Sequence, residues 1–340
     1  MQAILNFNLK DFESFLEKHG FARYAGRQIF SWIYKQAIFD FQQMTNLSKP
    51  LHVFLKRNFN VLGLQLIERQ VSSDQTEKFL FALSGRQTVE SVLIPTTRRL
   101  TACLSTQVGC RFACRFCASG AHGWQRNLET AEIIEQLIHL RNAAVRRINN
   151  IVFMGVGEPL DNYDNVFKAI RILNSADSFN IGARKITIST CGLIPGILRL
   201  SEENLQIELS ISLHAADNQT RSFLVPINKK YPLEELFKTC RAYFKKTKRQ
   251  ITFEYVLVKD VNSDLKQAKK LVKLFNRLDA KINLISLSAN KSGFSPPNKL
   301  ETLLFRDVFL KAGIPAEIRR SRGSDIMAAC GQLRSRLNEV

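Results

Sequence analysis

Between Thr101 and Leu287 the chain repeats one pattern six times: a short apolar segment of strand character, then a stretch with helical spacing. Strands are predicted at Thr101–Val108, Asn150–Met154, Lys185–Thr190, Ile207–Leu213, Ile251–Val258 and Ile282–Leu287. One intervening helix opens near Thr130, a capping residue type, with Glu132 in its first turn and Ile134, Leu137 and Ile138 on one side. Another opens at Pro232, a favoured first-turn residue, with Leu233, Leu236, Phe237, Cys240 and Phe244 on its apolar side. Such alternation calls for parallel strands joined by right-handed crossovers. Six units fall short of the eight that close a barrel. The expected core is therefore α/β, an incomplete (β/α)6 TIM-like barrel whose lateral gap suits a macromolecular substrate.

Residues 1–95 read as a separate, small and mainly helical accessory module. Phe12, Phe15 and Leu16 fall at helical spacing, as do Ile29, Trp32 and Ile33, and two strands are expected near Lys78–Ala82 and Val89–Ile94. Residues 96–340 form the core. No run approaches the ~18 apolar residues of a membrane span, and the first twenty residues lack the regions of a signal peptide, so the expected location is the cytoplasm and no membrane partner is expected. The formal net charge of +19 points to a polyanion. Part of it is clustered, in Lys245, Lys246, Lys248 and Arg249 and again in Arg319, Arg320 and Arg322.

Ligands of parallel α/β folds gather at the C-terminal ends of the strands. After the first strand comes GCRFACRFCASG, in which Cys110, Cys114 and Cys117 have the spacing C-x3-C-x2-C. Three thiolates on one loop can hold three irons of a four-iron cluster and leave the fourth open to a small molecule. With Cys103 they could instead make an all-thiolate zinc site. The odd total of seven cysteines argues against a disulfide framework. GVGEP (Gly155–Pro159) follows the second strand, where Glu158 can accept hydrogen bonds. Ser189 and Thr190 end the third strand; Ser212, Leu213 and His214 end the fourth. Cys240 reads as core and Cys191 as inert, whereas Cys330, followed by Gly331, is expected on an accessible loop.

In order along the chain, ESVLIP, CLSTQVGCRFACRFCASG, RNL, FMGVGEPL, ITIST, SISLHA, VPINKKYP and RGSDIMAACGQL resemble the radical S-adenosylmethionine (SAM) RNA adenine methyltransferases of the RlmN/Cfr family, the RlmN branch more closely. The resemblance extends through RQIFSWIYKQ and MTNLSK in the first module. It implies one [4Fe–4S] cluster on Cys110, Cys114 and Cys117, and SAM contacts from Gly157, Glu158, Ser189, Ser212, Leu213 and His214. It further implies Cys330 as methyl carrier, Cys103 as its disulfide partner and Glu90 as proton acceptor. Two SAM molecules would be used per turnover. The substrate would be 23S rRNA and/or tRNA, methylated at adenine carbon 2 (carbon 8 in the Cfr branch). A flavodoxin-like or ferredoxin-like protein would donate the electron, and the enzyme would act as a monomer. Two places depart from the family. Leu287, Ser288 and Ala289 stand where it has an aromatic-Asn-Pro segment, so that Ser288 or Asn290 would have to replace a SAM-binding Asn. Met327 stands where it has an acid.

Overall fold

Successive strand residues point to opposite faces, and in this chain the two sets differ in kind. The computed structural model describes residues 1–85, 87–121, 123–276, 278–287 and 293–334. It joins ten strands into one sheet, side by side in chain order. They are β1 (Gln65–Val71), β2 (Glu77–Ala82), β3 (Thr88–Pro95), β4 (Leu100–Cys103), β5 (Asn150–Phe153), β6 (Ile186–Thr190), β7 (Glu208–Ser212), β8 (Ile251–Leu257), β9 (Ala280–Ser286) and β10 (Ala316–Arg319). Pairing is antiparallel from β1 to β4 and parallel from β4 to β10. Among the described residues β1 and β10 are the two free edges, so the barrel is open.

Three helices precede the sheet: α1 (Leu9–Lys18), α2 (Tyr24–Phe30) and α3 (Lys49–Asn58). Seven more carry the crossovers: α4 (Thr130–Ala143), α5 (Tyr163–Asn174), α6 (Ile194–Ser201), α7 (Asn218–Leu224), α8 (Leu233–Thr247), α9 (Leu265–Leu274) and α10 (Lys299–Lys311). They cover the apolar face of the sheet, where Ile151, Phe153, Ile188, Leu209, Ile211, Phe253 and Tyr255 are each at most 1% exposed. Each such side chain contributes about 2 kcal/mol of burial. The register sets Ser189 beside Ser210, Ser210 beside Thr252, Ser212 beside Glu254, and Glu254 beside Asn283 on the other face. Parallel strands buried on both sides read as continuous apolar runs; polar alternation here marks an open interior.

Several elements differ from expectation. The first predicted strand stops at Cys103, and Gln107–Gly109 turns away to pair with Trp124–Asn127 in a separate ribbon. A seventh parallel strand, β10, was not expected; its four residues AEIR carry two charges and little apolar signal. Thr130 is the first helical residue of α4 rather than its cap, and Glu129 holds the capping position, its N–H donating to the Glu132 side chain (2.8 Å). The first 64 residues pack a Phe cluster (Phe7, Phe12, Phe15, Phe54, Phe59). They grip α4: Asn6 Oδ1 accepts from Ala131 N (2.8 Å), and Glu135 accepts from Gly63 N and Leu64 N (2.7 and 2.6 Å). Strands β1–β3 then run into the same sheet as the core. Among the described residues no helix is long and apolar enough to cross a membrane.

Candidate active site

The ribbon that leaves β4 carries the cysteine loop at its tip. Gly109 closes the neck at φ +72°, where an added Cβ would lie 1.8 Å from the Gly123 carbonyl oxygen, so only glycine fits. Cys110 N donates to Gly123 O (3.1 Å), and Cys117 N to Cys114 O (3.0 Å). Phe112 and Phe116 anchor the loop by packing with Leu224, Val225 and Val258. All three cysteines line one cavity. Burial, with repulsion from the neighbouring thiolates, pushes Cys110 up to about 12 and Cys114 well above its usual range. Iron is the charge that would offset this, and the donor set fits a cluster. Among the described residues no three His, Cys, Asp or Glu side chains converge on one point as ligands of a single ion would; a four-iron cluster takes one thiolate per iron and does not require it. Cys103 sits apart from this loop, packed with Val92, Val156, Ala328 and Leu333, so the four-cysteine zinc arrangement is not assembled.

Gly157, Glu158, Ser189, Ser212 and His214 line the same cavity. Gly157 has φ +105°, and a Cβ there would meet Gln107 Cβ at 2.6 Å. Glu158 is buried, and its carboxylate accepts from Leu160 N (3.1 Å) and Cys191 N (2.8 Å), stapling the loop after β5 to the end of β6. Burial raises its pKa, and those two N–H groups oppose the rise. His214 adopts a left-handed φ of +59°. Its Nδ1 accepts from Val256 N (3.0 Å), which assigns the ring proton to Nε2, and burial followed by the Arg221 charge pulls its pKa down to about 3. Its ring meets Phe116 edge-on at 4.7 Å.

Leu213 is one residue out of phase with Ser212, so its side chain enters the helix-side core and only its backbone faces the site. Its N–H donates to Glu254 O and its carbonyl accepts from Arg221 Nε (both 3.0 Å), the carbonyl keeping a second lone pair. Cys191 was expected to be inert; its thiol lines the cavity, raised well above its usual range by burial and Glu158. Ser288 and Asn290 lie outside the described residues. Arg221 was not anticipated. It is fully buried, donates to Leu213 O, Ser212 O, Cys191 O and Asn228 Oδ1 (2.7–3.2 Å), and sets a cation beside Cys114 and Cys191. An Arg in the middle of a short helix gives no local sequence signal of this role.

Cys330 opens onto the cysteine-lined cavity while protein walls surround it. Its segment is clasped at three places. Ala118 N donates to Gly331 O and Ser119 Oγ to Leu333 O (both 2.7 Å); Arg334 N donates to Glu90 Oε2 (2.9 Å); Ser72 Oγ donates to Asp325 Oδ1 (2.6 Å). Cys103 and Cys330 are free thiols near enough to influence each other. Burial, then Cys330, pushes Cys103 up to about 12, and burial raises Cys330 against the opposing charge of Arg319. Glu90 is 1% exposed, pairs with Lys78 at 3.4 Å, and stands one strand from Cys103, on the same face of the sheet. Its carboxylate contacts the Cys330 segment rather than lining the cavity.

Beyond the cavity the polar face continues into a groove, the two sharing Met154, Glu254 and Arg319. Arg319 Nη1 lies 3.4 Å from both Glu254 oxygens, and Asn283 Nδ2 donates to Glu254 Oε1 (3.0 Å). Both basic clusters of the sequence reach this groove, through Lys248 and Arg249 on one side and Arg319, Arg320 and Arg322 on the other, joined by Arg98, Arg99 and Arg184.

A parallel α/β sheet open on one side, with three cysteines gathered in a cavity at its strand ends, defines a radical SAM enzyme. The model of the Radical SAM superfamily matches residues 104–272, and that of the ribosomal RNA large subunit methyltransferase N-terminal domain matches residues 2–61. The chain is 44% identical over 336 residues to a Clostridium novyi (strain NT) protein named "Probable dual-specificity RNA methyltransferase RlmN", covering 98% of each. It is 42% identical over 335 residues to the protein of that name from Thermotoga maritima, again covering 98% of each. The crystal structure of a radical SAM methyltransferase from Sphaerobacter thermophilus superposes with a TM-score of 0.94 at 40% identity, covering 98% of this chain and 99% of the other. The chain belongs to the RlmN family of radical SAM RNA methyltransferases. Membership implies a [4Fe–4S] cluster and SAM.

Proposed function

We propose that the protein methylates carbon 2 of an adenine in 23S rRNA and/or tRNA by way of a methyl group carried on Cys330. The supporting observation is that Cys330 opens onto the cavity lined by Cys110, Cys114 and Cys117, with Cys103 and Glu90 on the sheet face beneath its segment. Carbon 2 of adenine is an electrophilic amidine carbon, so a methyl sulfonium, itself electrophilic, cannot alkylate it. Cys330 instead takes a methyl group as its thiolate from a first SAM. The cluster and a second SAM, when bound, supply the 5′-deoxyadenosyl radical chemistry that takes a hydrogen atom from that S-methyl group. Cys330 then presents the activated carbon to the ring, and Glu90 takes the ring proton. Cys103 attacks the Cys330 sulfur as its thiolate, and the bond from that sulfur to the ring-bound carbon breaks. The carbon takes up a proton to become the methyl group, and the odd electron left by radical addition would return to the oxidised cluster, leaving a Cys103–Cys330 disulfide and the methylated base. Gly157, Glu158, Ser189, Ser212, His214 and the backbone of Leu213 would hold SAM.

The groove supports the RNA reading. Among the described residues nine cationic side chains line it against four carboxylates, which suits phosphates on either side of an extruded base. We assign residues 1–95 to gripping structured RNA, and place the enzyme in the cytoplasm as a monomer fed by a flavodoxin-like or ferredoxin-like donor. The test is nucleoside mass spectrometry after incubating anaerobically reconstituted protein with SAM, reductant and unmodified ribosomal or transfer RNA. 2-Methyladenosine is expected. 8-Methyladenosine, or no methylated adenosine from protein shown to cleave SAM, overturns the proposal.

A further inference from the structure

We infer that Lys78 is a positioning residue for Glu90, its ammonium fixing one carboxylate oxygen so that the other is aimed at the Cys330 segment. The inference rests on the reading of Glu90 as proton acceptor. Lys78 lies on β2 opposite Val92, and Glu90 lies on β3 opposite Leu80, so the two are diagonal neighbours on one face. Val92 in turn stands opposite Cys103 of β4, which brings all three functional side chains to the same side. Lys78 is 5% exposed and Glu90 1%. The ammonium lies 3.4 Å from Glu90 Oε1, while Oε2 accepts from Arg334 N at 2.9 Å, four residues beyond Cys330.

Stability does not account for this pair. Replacing a buried ion pair by apolar residues of similar volume is commonly neutral or stabilising. The cross-strand partners of the two residues, Val92 opposite Lys78 and Leu80 opposite Glu90, are apolar and buried and suit such residues. What the pair provides is a carboxylate in one fixed orientation: Lys78 holds Oε1 and Arg334 N holds Oε2, so the group faces the Cys330 segment. In the step at issue the bond between carbon 2 and its hydrogen breaks, the electron pair remains in the ring and the proton ends on a Glu90 oxygen. Around Glu90, β2 contributes Lys78, β4 places Cys103 one strand away on the same face, and the C-terminal segment contributes the Arg334 N–H.

The experiment compares Lys78→Met, Lys78→Gln, Lys78→Arg and Glu90→Gln with the unsubstituted enzyme. Intact-protein mass reads methylation of Cys330, which precedes the proton transfer. A denaturing gel reads covalent enzyme–RNA adduct, and nucleoside mass spectrometry reads product. Lys78→Met and Lys78→Gln are expected to methylate Cys330 normally, accumulate adduct and lose product formation by about tenfold or more. That loss should be largely restored by Lys78→Arg. Normal turnover in Lys78→Met and Lys78→Gln, alongside adduct in Glu90→Gln, overturns the inference alone. Normal turnover in Glu90→Gln overturns the reading of Glu90 beneath it. Equal loss of Cys330 methylation and of product in both neutral variants means that Lys78 only supports the fold, and also overturns it.

Discussion

His214 gives the sharpest test of the site as a folded object, because its tautomer, backbone conformation and proton affinity are tied together. An unfolded histidine titrates near 6.5, whereas burial and Arg221 bring His214 down to about 3. Between those values the unfolded chain binds a proton that the native state refuses. Stability therefore rises with pH across this window and is lost as pH falls below about 6.5. From pH 7 to pH 5 an unfolded imidazole goes from roughly a quarter to almost fully protonated while the native ring stays neutral, which amounts to about 2 kcal/mol. The perturbation is His214→Asn. An Asn carbonyl can accept from Val256 N where Nδ1 now does, and Asn tolerates the left-handed φ of +59°. Denaturant unfolding of the reduced, cluster-free protein at pH 7 and pH 5, with and without the substitution, cancels the other titrating groups. The unsubstituted chain should lose about 2 kcal/mol more than the variant. Equal losses would show that His214 is not held neutral by its surroundings, and the account of the cavity wall would fail with it.

Two further outcomes follow from local geometry. Met327 is 41% exposed and left-handed at φ +54°, at the position where the family has an acid. Asp tolerates that conformation better, so Met327→Asp should slow amide exchange in residues 324–331 by the equivalent of about 0.5–1 kcal/mol; unchanged exchange would mean that no strain is stored there. Arg98→Ala combined with Arg99→Ala removes two cations from the groove, and the slope of log affinity for RNA against log salt should fall by about 1–2. An unchanged slope would place the RNA elsewhere.

Legibility in the sequence followed how local each signal was. Cys110, Cys114 and Cys117 share one loop, and their grouping survived intact because a short loop can hardly disperse them. The strands β5 to β9 were found because each carries its own apolar alternation. Strand β10 was missed because four residues with Glu317 and Arg319 gain strand character only from pairing with β9. The break after Cys103 depends on Gln107–Gly109 meeting Trp124–Asn127, a partner invisible to a local pattern. The phase of Leu213 was legible: Ser210 and Ser212 share a face, and the side chain of the next residue lies on the other. Arg221 and Lys78 could not have been found, since their meaning lies in what surrounds them after folding.

The polar sheet face connects these features. A parallel sheet pays in stability for every Ser, Thr, Asn or Glu that it turns away from its helices, and here the row runs from Ser189 and Ser210 through Thr252, Glu254 and Asn283. The groove keeps those groups in contact with water and, on the proposed reading, with RNA. The antiparallel extension β1–β3 then provides a second wall on the same side, and the C-terminal segment crosses to it. That segment is held by hydrogen bonds to Ala118, Ser119, Glu90, Ser72, Ser73 and Asp74, by the Arg322–Asp74 ion pair, and by apolar contacts at Ala328 and Leu333. A segment attached in this way opens locally at small cost. In the mechanism proposed above, Cys330 addresses three partners in turn, the SAM methyl, the base and Cys103. Deep packing would fix it for one of them; attachment by hydrogen bonds at several points lets it serve all three without unfolding the sheet.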